Sequence, residues 1–97
     1  MLIRAIGPTL GSAPFNISGV LNDPILTIQS SGSVIAANDN WNATDAAVFA
    51  GVGAFALQPG SRDAALVIAV APGGYTAEIH SASDITGIAL VEIYELP

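Results

Sequence analysis

The sequence predicts an all-β fold, an antiparallel jelly-roll-like β-sandwich with one short helical segment near residues 44–52. Three observations lead there. Apolar segments are short and are broken throughout by Gly, Pro, Asn and Ser, the punctuation of sandwiches and barrels. Residues 75–80 and 87–96 alternate with the period of two that marks a strand. The chain has 97 residues, 52% of them hydrophobic, enough for one core, so residues 1–97 are expected to form a single module.

Taken in order, Leu2–Ile6 is a strand closed by Gly7-Pro8. Residues 9–24 form a long connection anchored by Phe15, Ile17, Val20 and Leu21. Residues 25–30 and 33–38 flank Ser31-Gly32 and predict a hairpin with a tight turn. Residues 38–42, Asn-Asp-Asn-Trp-Asn, make a dense turn cluster. After it, Asn42 or Thr44 caps a short helix, with Asp45 near its positive end. Val48, Phe49 and Val52 form its buried stripe, and Gly51 and Gly53 end it. Residues 65–71 are apolar on both faces and predict a central strand covered on both sides. Pro72-Gly73-Gly74 turns the chain. Tyr75, Ala77 and Ile79 then point inward, while Thr76, Glu78 and His80 point outward. Residues 81–86 form a polar loop. The last strand sets Ala89, Val91 and Ile93 on one face, and Ile88, Leu90, Glu92 and Tyr94 on the other. If first and last strands are antiparallel neighbours, Arg4 faces Glu92 and fixes register. Arg62-Asp63, after Pro59-Gly60, reads as a solvated loop pair.

Charge is scarce. There are two arginines, no lysine and eight carboxylates, giving a net charge of −6. Charged residues make up 10%, against about 25% in ordinary soluble domains. This balance argues against nucleic acid, whose phosphates need clustered basic residues, and against anionic membrane surfaces. No apolar run approaches the roughly 20 residues of a membrane-spanning helix, so no membrane insertion is expected. Without cysteine, disulfides and thiolate metal sites are excluded. Without lysine, so are Lys–Asn and Lys–Asp isopeptide crosslinks.

Lysine is also the residue that most often blunts a sheet edge against other chains. Its absence implies edges that are covered or meant to pair. The edge strands are expected at Leu2, Ile3, Arg4, Ala5 and Ile6, and in the last strand with Glu92 and Tyr94, the backbone carrying the contact. The expected partners are copies of the chain or neighbouring repeats.

Other candidates are weaker. Asn38, Asp39, Asn40, Asn42 and Asp45 place five oxygen-bearing side chains within eight residues. Asn38, Asp39 and Asp45 are the candidate calcium ligands among them. Two carboxylates without EF-hand spacing favour an Asx-rich turn and helix cap instead, and no cofactor is expected. Trp41 could stack on an extracellular polysaccharide, but a lone aromatic more often anchors one end of a core. His80 adjoins Ser81 and Ser83, yet strand neighbours point to opposite faces, and no triad results. Glu78, Glu92 and Glu95 lack the cleft that glycoside hydrolysis needs. No enzymatic activity is expected. Asn16-Ile17-Ser18 and Asn42-Ala43-Thr44 are glycosylation sequons, relevant only in a pathway that glycosylates them. Met1 runs straight into Leu2–Ile6 with no basic region or cleavage site, so no signal peptide is expected. Met1 reads as a start added to a module cut from a longer chain.

Several segments together resemble a known pattern. They are residues 2–10 (Leu-Ile-Arg-Ala-Ile-Gly-Pro-Thr-Leu), 23–28 (Asp-Pro-Ile-Leu-Thr-Ile) and 38–41 (Asn-Asp-Asn-Trp). With them go residues 52–57, 63–66, 71–77 (Ala-Pro-Gly-Gly-Tyr-Thr-Ala) and 91–95. The set resembles a repeat module of very large exported proteins of verrucomicrobial-type bacteria, along nearly the whole chain. More distantly, its order is similar to that of bacterial pre-peptidase C-terminal domains, jelly-roll-like sandwiches appended to secreted enzymes. The resemblance implies a secreted or cell-surface parent protein and no defined activity. It also implies a further strand before residue 2, which would leave an unpaired edge beside Leu2–Ile6.

Overall fold

The computed structural model describes residues 1–82 and 86–96. Along the chain the elements are β1 (Leu2–Ile6), a 3-10 turn (Pro8–Gly11), β2 (Pro24–Ser30) and β3 (Ser33–Asn38). A second 3-10 turn (Ala43–Asp45) runs into α1 (Ala46–Gly51), followed by β4 (Ala64–Val67), β5 (Thr76–Ser81) and β6 (Leu90–Tyr94). The strands form two three-stranded antiparallel sheets, ordered β4-β1-β6 and β3-β2-β5. The fold is all-β and sandwich-like, with one short helix.

Local chemistry accounts for the elements. Ser31 and Gly32 both have positive φ, 52° and 78°, and Ser30 pairs with Ser33. This is the two-residue turn whose twist matches a hairpin. The Asn42 side chain accepts the Thr44 N–H at 3.0 Å and starts the helical segment. Gly53, at φ 74°, ends it, as its N–H and that of Ala54 return to the Ala50 and Phe49 carbonyls.

Directly opposed residues share a face of a sheet. Ile3, Ala5 and Ala64 therefore face the second sheet together, packing on Leu26 and Ile28 with Leu66, Ala36, Ala77 and Ile79 around them. On the other face, Leu2, Ile6 and Ala65 pack with Leu10, Phe49 and Leu57 beneath a layer of loops that carries α1. Phe49 is the buried member of the expected helical stripe, while Val48 and Val52 are half-buried. β1 is thus covered on both sides, and every one of its residues is buried.

That arrangement corrects three expectations. Leu2–Ile6 is not an edge. It is the central strand, paired with β4 and β6, and its two apolar faces are what a doubly covered strand requires. The segment at 65–71 is not central. It supplies the short strand β4 beside β1, with Ala64 and Ala65 buried on opposite faces and Val67 exposed. Tyr75 does not point inward; it is partly exposed, and its hydroxyl donates to the Ala71 carbonyl. In the long connection, Leu21 is buried and Val20 packs on the core. Phe15 and Ile17 stay largely at the surface, Phe15 against Phe55.

Candidate functional site

Two sheets of three strands leave four outer edges among the described residues, and three carry a device that blocks pairing. On β3, the register slips between Ile28/Ala36 and Gln29/Val34, so Ile35 is an extra residue in a bulge. On β4, the segment after β3 occupies the first half of the edge. Asn38 Oδ1 accepts the Ala65 N–H at 3.1 Å, and the Trp41 N–H donates to the Asp63 carbonyl at 2.9 Å. On β5, Glu78 brings charge, its side chain 3.2 Å from that of His80.

Among the described residues, the edge of β6 has no such device. Its one charged residue, Glu92, is drawn towards β1. Arg4 Nε donates to Glu92 Oε1 at 2.8 Å, Nη2 lies 2.7 Å from the same oxygen, and the Tyr94 hydroxyl donates to Oε2 at 2.9 Å. Burial, and then the hydrogen bond to Glu92, push the Tyr94 phenol above its ordinary value. Arg4 is fully buried, its guanidinium 4.8 Å from the Phe49 ring and 4.6 Å from the Phe55 ring, with Nη1 donating to the Phe55 carbonyl. The expected register pair forms, as a buried ion pair stacked between aromatic rings.

The backbone of β6 follows from the hydrogen-bond parity of its neighbours. Met1 and Ile68 exchange both backbone bonds across β1 and β4, and Ala65 turns its N–H away from β1. Even-numbered residues of β1 therefore bond to β6, and Leu90, Glu92 and Tyr94 bond back. The N–H and C=O groups of Val91 and Ile93 point outward, with no partner among the described residues. The bridge from Ile88 to Val20 shares the even parity, so it lies on the β1 side and leaves the outer edge open. Val91 is 41% exposed and Ile93 58%, although both lie on the face that, at Ile3 and Ala5, is buried by the second sheet.

The remaining candidates occupy structural positions. Asp63 is not a solvated loop residue; it is fully buried. Its carboxylate accepts from the Gly7 and Thr9 N–H groups and from the Thr9 and Ser61 hydroxyls. Arg62, by contrast, is exposed and lies 3.9 Å from Asp23. Nothing in the sequence marks Asp63 as buried except its place just before an apolar strand. Trp41 is half-buried against Phe49, its ring nitrogen donating to Ser61 at 3.1 Å, the posture of a core anchor.

The expected calcium ligands serve other contacts. Asn38 occupies the β4 edge at Ala65 and donates to the Asn40 carbonyl at 3.0 Å. Asp45 ends the 3-10 turn, its N–H bonded to the Asn42 carbonyl. Asp39 shares a hydrogen bond with Asp23, which raises its pKa; lost hydration and the Asp23 charge act the same way, and Arg62 opposes them. No group of three or more His, Asp or Glu residues is placed to hold a metal among the described residues. His80 meets Glu78 and Thr27 on an exposed face, and Ser83 lies outside the described residues.

A scan against protein-family models, a search of curated proteins and a search of solved structures each found no match.

Proposed function

We propose that this chain is a non-catalytic structural and interaction module of a secreted or cell-surface protein, associating through the edge of β6. One observation carries the reading. Of the four sheet edges among the described residues, only β6 combines outward backbone groups, exposed Val91 and Ile93, and a charge already neutralised from behind. Main-chain pairing supplies affinity at such an edge, and alternate side chains supply selectivity. The extracellular setting and the role as a repeat draw on the sequence resemblance.

The test is the mass of the protein by light scattering over a concentration series, for wild type and Ile93→Lys. Wild type should rise above the monomer mass, and the variant should stay monomeric with an unchanged melting temperature. A lysine there places charge on the open edge without touching the core. Equal masses for the two proteins would count against the β6 edge.

A further inference from the structure

We infer that the occupant of the β6 edge is the β6 strand of a second copy, paired antiparallel about a two-fold axis at Glu92. The inference rests on the association proposed above and names its partner and symmetry. A strand added to β6 must itself present free backbone groups. On another copy, β3 is bulged, β4 is occupied at Asp63 and Ala65 by Trp41 and Asn38, and β5 carries Glu78 and His80. Among the described residues, the edge of that copy that carries no such device is again β6. Like-to-like pairing is isologous and closes at two chains, giving a continuous sheet β4-β1-β6-β6-β1-β4.

Parity limits the register. Outward-facing residues must oppose outward-facing residues, so Val91 and Ile93 can meet Val91, Ile93 or their odd-numbered neighbours. An axis at Glu92 sets Val91 against Ile93 of the second copy, and Ile93 against its Val91. All four exposed β-branched side chains are then paired on one face. An axis at Ile93 would set Val91 against Glu95, and an axis at Val91 would set Glu92 against Leu90. Both pair charge with an apolar side chain.

The chosen axis brings the two Glu92 residues face to face, and the charge balances within each copy. Each carboxylate is held at 2.7 Å by its own buried Arg4. The contact therefore does not inherit the −6 of the whole chain. A five-residue edge buries less than the about 800 Å² per partner of a standard interface. The dimer is accordingly weak and populated at high protein concentration.

The chain has no cysteine, so the pairing can be read by crosslinking. Val91→Cys and Ile93→Cys are prepared separately, both at exposed positions, and oxidised alone and as a mixture. Directly opposed strand residues about 5.5 Å apart fall within disulfide reach, whereas each cysteine alone sits two positions from its own copy. The expected result is a mass that doubles and then levels off, with at least tenfold more crosslinking in the mixture than in either variant alone. A mass that climbs without levelling, or mixed crosslinking no greater than in the single variants, would overturn the two-fold pairing and leave edge association standing. A monomer at every concentration would overturn both.

Discussion

Arg4 shows most clearly how one residue joins the core to the edge. Its charge is stripped of water, stacked between Phe49 and Phe55, and answered by Glu92 from the neighbouring strand. Removing one partner of a buried pair strands the other, at a cost of about 3–5 kcal/mol. That is a large share of the about 5–15 kcal/mol that holds a domain folded. Arg4→Ala should therefore lower the denaturant midpoint severely. Arg4→Lys should recover little of the loss, because an ammonium offers neither the flat stacking surface nor the fixed donor geometry. Asp39 makes the opposite case. Its hydrogen bond with Asp23 raises its pKa above the ordinary 3.8, so the folded state holds the proton more tightly than the unfolded state does. The associated stability is present below that ordinary value and is lost as pH rises through the folded pKa. Asp39→Asn should accordingly melt above wild type at neutral pH, with the gap closing as the solution is acidified towards pH 3.8. A gap that widens in acid would contradict this assignment.

At the scale of elements, the long connection between β1 and β2 is clamped where two glycines meet one backbone segment. A Cβ at Gly7 would lie 1.9 Å from the Leu21 carbonyl oxygen, and one at Gly87 would lie 2.6 Å from the Leu21 nitrogen. The clamp carries the bonds from Leu21 N–H to Ile88 and from Ile88 N–H to Gly19, which hold the chain entering β6. Gly87→Ala should force this segment apart at a cost of about 1–3 kcal/mol. The measurement is amide exchange at Leu21 and Ile88, which should quicken in the variant.

The hairpin around Ser31-Gly32, the Asn42 cap and the Arg4–Glu92 register were legible in the sequence, because turn chemistry and strand alternation act locally. The order of strands within each sheet was not. Leu-Ile-Arg-Ala-Ile carries an arginine whose full burial follows only once Glu92, Phe49 and Phe55 are brought round it by the fold. The burial of Asp63 is hidden from the sequence for the same reason, since its four donors come from residues 7, 9 and 61. The occupation of the β4 edge by an Asn38 side chain is likewise invisible to any pattern of hydrophobicity.

Across the whole molecule, β1 is buried from both sides, while the second sheet covers Ile3, Ala5 and Ala64 but leaves Val91 and Ile93 of β6 open. Composition and architecture meet at that point. With no lysine to blunt it, the edge depends on other devices, and among the described residues β6 lacks those the other edges carry. The central claim is that the β6 edge is free in a single chain and filled by association. Hydrogen exchange at the Val91 and Ile93 amides, in dilute and in concentrated protein, tests it most directly. Both amides should exchange quickly when dilute and at least tenfold more slowly when concentrated, with Glu92 protected throughout by β1. Slow exchange at Val91 and Ile93 in dilute monomer would contradict the claim, because their hydrogen bonds would then already be made within one chain.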